Sequence, residues 1–361
     1  LGDVLSLSRT KAFGVLGAAV SASILAMAGC GAILGIPDEV TRRDAAPEPL
    51  QDSSIPMDAA IPDVLVPPRD AEADGQVEAS VDAGTDAAPE CDVTKEFDTP
   101  QLIPSLSTPG HEGDPRFFAD DELTVTFDAV RGDAGTTDIY QATRSSLGAA
   151  FGAPVKLDTI NTDEYEHSGN LTQDGLAAFF ERQDRATSVS RIMRATRPSK
   201  VDPWGVASPV DLNAGTYTAF PFVRGDGSEI YLIAKTGADP EKIYVGKFQA
   251  GTGYVVEAVS GLNQGATTSQ FAPVVSADGL ALYFGTTTHL ANPARRDTDI
   301  WVATRGNTSS PFAFAREVPN VNTVQSEEPS WITANGCRLY LHSRRPGGPG
   351  GQDLYVASRK K

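Results

Sequence analysis

A block of just over fifty residues recurs five times in this chain, and that recurrence limits the fold more than any other feature. A turn signal stands at Asp121-Glu122, Asp174-Gly175, Asp226-Gly227, Asp278-Gly279 and Asn335-Gly336, at steps of 53, 52, 52 and 57 residues. A second signal follows each turn: Asp138-Ile139-Tyr140, Arg191-Ile192-Met193, Lys242-Ile243-Tyr244, Asp299-Ile300-Trp301 and Asp353-Leu354-Tyr355. Most units close on Ala-Thr-Arg or Ala-Ser-Arg, which places Arg144, Arg197, Arg305 and Arg359 in register, with Lys247 as the degenerate version.

Each unit reads as a small antiparallel sheet. Asp-Gly between apolar runs favours a hairpin, because glycine accepts the positive φ that a tight turn demands. Four residues past the turns stand Val125, Ala178, Ile230, Leu282 and Leu339, and six past stand Phe127, Phe180, Leu232, Phe284 and Leu341. These form one face of a strand. The position between them carries Thr126, Phe179, Tyr231, Tyr283 and Tyr340, so the other face is largely apolar as well. A sheet buried on both faces needs a neighbour on each side, and radial stacking of like sheets, a β-propeller, provides it. With 34 Gly and 25 Pro among 361 residues, and 40% hydrophobic residues, the composition suits short strands and many turns rather than a helical bundle.

The pattern resembles the TolB-type, WD-like propeller repeat. The resemblance is clearest in Ser276 to Phe284 followed by Asp299-Ile300-Trp301, and in Leu339-Tyr340-Leu341 followed by the Gly-rich stretch 347–351 and Asp353-Leu354-Tyr355. It runs from about Cys91 to Lys361 and implies fold rather than function, since the family includes scaffolds, ligand binders and peptidase-associated domains. Fourth-strand segments follow four units, and a matching one, Phe97 to Ile103, precedes the first. The expected fold is therefore an all-β, five-bladed propeller whose N-terminal strand completes the last blade. Six blades is the alternative.

Ahead of this domain lie two segments of different character. Arg9 and Lys11 precede a charge-free run from Ala12 to Gly29, which reads as a signal peptide over residues 1–29. Ala28-Gly29-Cys30 resembles a bacterial lipobox, although Met27 replaces the usual Leu. The resemblance implies lipidation at Cys30. No Asp follows the cysteine, so it also implies delivery to the outer membrane. Residues 30–90 then read as a linker. Its part from Asp44 to Glu90 holds eight Asp, four Glu and one Arg among ten Ala and seven Pro, so it is expected to be an extended, disordered tether. The linker supplies much of the net charge of −17, which disfavours nucleic-acid binding.

Three cysteines without a CxxC pair exclude a thiolate zinc site and a thioredoxin-type dithiol. Export would put Cys91 and Cys337 in an oxidising compartment. The repeat register sets Cys91 before the closing strand and Cys337 just after the last hairpin turn, on a shared edge, so the two are expected to form a disulfide.

Candidate chemistry lies where the first strand of each blade begins. Seven residues before the turn signals stand Asp114, His167, Ala219, Phe271 and Glu328, and one position earlier stand Gly113, Glu166, Thr218, Gln270 and Glu327. Asp114, Glu166, His167, Glu327 and Glu328 are therefore expected at one axial mouth, as a binding pocket able to take a divalent cation through oxygen ligands, or as solvated residues at strand starts. No other cofactor is called for. Asp114-Pro115 bears a faint resemblance to the base of five-bladed arabinan- and xylan-cleaving hydrolases, but the third blade offers only Thr218 and Ala219. Asp138, Asp299 and Asp353 read as surface hydrogen-bonding positions, and the repeated arginines as a solvated basic ring. The functional expectation is a non-enzymatic envelope lipoprotein whose propeller binds an envelope protein or glycan. The alternative is a carbohydrate-active hydrolase on the same fold.

Overall fold

The repeat folds into four-stranded antiparallel sheets, five of them, in a computed structural model that describes residues 90–131, 135–262, 268–287 and 297–361. The signal peptide, Cys30 and the linker up to residue 89 lie outside the described residues, as does His289. Within the unit Asp82–Lys361, the described residues contain strands and no helix.

The first blade holds β2 (His111–Phe117), β3 (Thr124–Val130), β4 (Asp138–Thr143) and β5 (Val155–Lys156). The second holds β6 (Tyr165–Leu171), β7 (Ala177–Gln183), β8 (Ser190–Thr196) and β9 (Ser208–Pro209). The third holds β10 (Tyr217–Arg224), β11 (Glu229–Lys235), β12 (Lys242–Gln249) and β13 (Gly253–Ala258). The fourth holds β14 (Gln270–Val275), β15 (Ala281–Thr286), β16 (Asp299–Thr304) and β17 (Ala313–Glu317). The fifth joins β18 (Glu327–Ile332), β19 (Arg338–Ser343) and β20 (Asp353–Ser358) to β1 (Gln101–Leu102), which pairs with Val356 and Tyr355. The first strands pack on one another around the axis. The N-terminal strand thus closes the ring and covers β20, which would otherwise be the outer edge of the fifth blade. A disulfide between Cys91 and Cys337, with Cα atoms 5.7 Å apart, fastens the same closure.

The hairpin turns follow from their side chains. In every blade the turn Asp or Asn accepts the backbone N–H two residues on: Asp121 from Leu123, Asp174 from Leu176, Asp226 from Ser228, Asp278 from Leu280 and Asn335 from Cys337. The next residue is left-handed, with φ between 55° and 86°, and it is Gly in four blades but Glu122 in the first. A non-glycine residue there costs about 1 kcal/mol or more. Glu122 is held by Arg338 Nε at 2.8 Å and by the Tyr340 hydroxyl, both from the fifth blade. Its conformation therefore serves the closure.

The second strands are buried on both faces, from Val125 and Phe127 to Tyr231 and Leu341. The repeated arginines are structural rather than a solvated ring. Nε of Arg144, Arg197, Arg305 and Arg359 donates to the carbonyl of the left-handed turn residue, Glu122, Gly175, Gly279 and Gly336 respectively. Each guanidinium also stacks on the aromatic ring that opens or precedes the fourth strand, Phe151, Trp204, Phe312 or Phe97, at 4.0–4.5 Å. In the degenerate third blade the Tyr254 hydroxyl takes the Gly227 carbonyl instead, and Lys247 pairs with Glu257 at the surface. Asp138, Asp299 and Asp353 are buried, not surface positions. Asp138 pairs with Lys156 Nζ at 2.8 Å, and Asp353 accepts the Gly350 N–H and so braces the glycine loop.

Candidate functional site

The glutamates of the repeat divide into two groups once the strands are placed. The first hairpin loop has six residues between its strands, 118–123, where the second, fourth and fifth have five. That extra residue shifts the sequence register by one, so Glu112, not Gly113, corresponds to Glu166 and Glu327. All three are fully buried. All three accept the hydroxyl and backbone N–H of a threonine four residues earlier: Thr108, Thr162 and Thr323. Each also faces an arginine (Arg131, Arg182 or Arg345) whose guanidinium donates to a carbonyl of the preceding loop. Glu166 and Glu327 therefore fasten loops and do not line the axial mouth.

Asp114, His167 and Glu328 do meet there. They line a cavity of about 370 Å³ with His111, Asp128, Glu181, Tyr217, Phe220 and His342, and with Gln183 and Gln352 at the polar wall. A bulge in each first strand shapes it. Asp114, Ser168, Phe220 and Ala272 take φ between 44° and 54°, and the fifth blade places Pro329 at this point, with its bulge one residue later. The bulge turns a backbone N–H toward the preceding blade, where a second-strand side chain accepts it. Asp114 N–H donates to His342 Nδ1 at 3.2 Å, Ser168 N–H to Asp128 Oδ1 at 3.2 Å, and Phe220 N–H to Glu181 Oε2 at 3.3 Å. The same position holds Gly285 in the fourth blade, where the facing Pro329 has no N–H to offer. Asp128, Glu181 and His342 are thus inter-blade latches whose outer atoms face the cavity.

The remaining contacts settle the electrostatics. His342 accepts at Nδ1, which places its proton on Nε2, 3.7 Å from Glu328 Oε2. Burial pushes Glu328 above the ordinary carboxylate range, and the charges of Asp114 and Glu181 add to that against His342 and Arg344. Burial also raises Glu181, in spite of His167, the Ser190 hydroxyl and the Phe220 N–H. Burial opposes charge on His167, but its bond to Asp128 (3.4 Å) and the charges of Asp128, Glu181 and Asp114 outweigh this and raise it to about 9. Asp128 is lowered in turn, because His167 and the Ser168 N–H overcome its burial. Among the described residues, no three His, Cys, Asp or Glu side chains converge to hold a metal ion. The acids also differ in reach: the Glu328 side chain is 18% exposed, against 5% for Asp114 and 9% for Asp128.

No family model matches the chain, and no curated protein matches its sequence. Solved structures resemble it at low identity. TolB from Acinetobacter baumannii is 14% identical, with a TM-score of 0.45 over 71% of this chain, which spans 56% of the TolB chain. An α-L-arabinofuranosidase from Podospora anserina is 11% identical, with a TM-score of 0.47 over 75% of this chain and 98% of its own. A glycosyl hydrolase from Bacteroides ovatus is 12% identical, with a TM-score of 0.46 over 74% of this chain and 94% of its own. At these values they assign neither a family nor an activity.

Proposed function

We propose that this is an exported, lipid-anchored binding module whose axial mouth holds the chain end of an envelope glycan. One observation carries the reading: the mouth acids are spent on holding blades together, and Glu328 alone among them opens appreciably to the cavity. A glycosidase needs two carboxylates that both reach the scissile bond. Asp114 gives one oxygen to the Ser168 hydroxyl, Asp128 is shared between His167 and Ser168, and Glu181 is shared between Ser190 and Phe220. Glu328, Gln183, Gln352 and Tyr217 line a cavity large enough for a small polar ligand. The Cys91–Cys337 disulfide supports export to an oxidising compartment, and Cys30 supplies the point of lipidation.

A second reading, glycoside hydrolysis, draws on the split between a raised Glu328 and a lowered Asp128, a pattern that acid and base catalysts share. One experiment separates the two. The full chain is titrated with arabinan, xylan and peptidoglycan oligosaccharides, with binding and released reducing ends both followed. Saturable binding without turnover, weakened at least about tenfold in Glu328→Gln (the loss of one charge-assisted hydrogen bond), is expected. Turnover that disappears in both Glu328→Gln and Asp128→Asn installs the hydrolase reading. Absence of both binding and turnover removes the glycan reading. Cys30→Ser should move the protein out of the membrane fraction, and unchanged fractionation would remove the anchor.

A further inference from the structure

Below the mouth, the first residue after each bulge forms a ring around the axis: Arg116, Asn170, Phe222, Val274 and Trp331. Adjacent blades one and two give the two polar members, and blades three to five give the apolar wall. Arg116 is fully buried and reaches across to the third blade, its guanidinium 5.6 Å from the Phe222 ring, which lies 5.5 Å from Trp331. Its Nε, Nη1 and Nη2 have no hydrogen-bond partner.

Two other arginines, buried Arg345 and half-buried Arg338, are treated differently. Arg345 donates to the Ser343 hydroxyl and the Val321 carbonyl beside Glu327, and Arg338 is held by Glu122 and Glu90. Asn170 repeats the exception next door. Its Oδ1 accepts the Val223 N–H, which fixes its orientation, and its fully buried Nδ2 has no acceptor. A guanidinium stays charged at any physiological pH, and burying it without acceptors is strongly unfavourable. Asp114 and Asp128 lie close enough to favour that charge. Asp114 Oδ2 is bonded to Ser168 and the Asp128 oxygens to Ser168 and His167, which leaves Asp114 Oδ1, 3.6 Å from His342 Nδ1, as the single oxygen of the four without a partner against the several free donors of Arg116 and Asn170. The ring therefore offers donors in excess of acceptors between apolar walls, which suits a weakly hydrated monovalent anion.

We propose that the axial waist binds one weakly hydrated halide ion, chloride or bromide, held by the guanidinium of Arg116 and the amide of Asn170. The site is separate from the mouth and does not depend on the glycan reading. The test follows thermal unfolding of the full chain in chloride or bromide, with fluoride and sulfate at matched ionic strength. The midpoint should rise in chloride and bromide by about 5 °C for each hundredfold increase above the dissociation constant, while the controls give only the general salt effect that Arg116→Met shares. Arg116→Met should abolish the dependence. Should that variant not fold, wild-type crystals soaked in bromide should give an anomalous peak within hydrogen-bond reach of both side chains. A wild-type midpoint indifferent to halide would overturn the proposal. So would a water bridging Arg116 to Asp114 without a bromide signal.

Discussion

The turn edge and the axial mouth of the blades are built from the same repeat, yet they use it in opposite ways. At the edge the chemistry recurs: an Asp or Asn caps the turn, an arginine takes the carbonyl behind it, and an aromatic ring supports the arginine. Where one element is missing, another fills its place, as Tyr254 does in the third blade. At the mouth the equivalent second-strand positions are Asp128, Glu181, Ile233, Gly285 and His342, no two alike. Recurrence marks what the fold requires of every blade. Departure marks where the blades have been made different, and the cavity lies among the departures.

If the edge holds the fold and the mouth holds the chemistry, damage to the edge should cost the more stability. Cys91→Ser with Cys337→Ser should lower unfolding stability by about 2–5 kcal/mol, measured by denaturant melts against the parent. A loss below about 1 kcal/mol would show that strand pairing alone secures the ring.

The mouth should show itself through pH. His167 keeps its proton to about 9 in the folded protein but only to about 6.5 when unfolded, so its contribution is whole below about 6.5 and is lost as pH rises through about 9. Raised Glu181 and Glu328 act in the same direction at lower pH, since the folded state favours their protonated forms. Stability should therefore fall with rising pH, by roughly 3 kcal/mol across the histidine limb. His167→Gln should flatten that limb and move the acid one to higher pH, because Asp128 and Glu181 lose the charge that lowers them. A limb unchanged by the substitution would detach it from the mouth.

Single clamps come next. Arg305→Ala should cost about 1–2 kcal/mol through the lost Gly279 bond and the Phe312 stack. Lys247→Ala, at the same repeat position but on the surface, should cost under about 0.5 kcal/mol. Equal losses at the two sites would break the distinction between clamp and surface.

Sequence carried the architecture because burial on both faces and the turn signals recur at every unit, down to the closing strand and the cysteine pair. It carried the mouth less well, for a local reason. The extra residue near Asp120 displaced the first blade by one position, which hid Glu112 and set Glu166 and Glu327 among candidate binding residues. The shared Thr108, Thr162 and Thr323, four residues ahead of each glutamate, were the available sign that these acids fasten loops. Asp128, Glu181 and His342 were missed although all stand seven residues past a turn signal, because strand reading weighs apolar periodicity and passes over a single polar break. Arg116 left no pattern at all. Its isolation is a property of the assembled ring.

The closure has a mechanical side. The chain enters the propeller through Cys91, ten residues ahead of a two-residue strand that pairs with Tyr355 and Val356 and is preceded by a single bridge from Phe97 to Arg359. Tension along the preceding chain would peel so short a ladder apart from its end, one residue at a time. The bond to Cys337 diverts that tension into the hairpin of β18 and β19 before it reaches β1. Pulled from its N-terminal side, the oxidised protein should yield only when a whole blade is torn from the ring, and the reduced protein at the far smaller force that unzips one short strand.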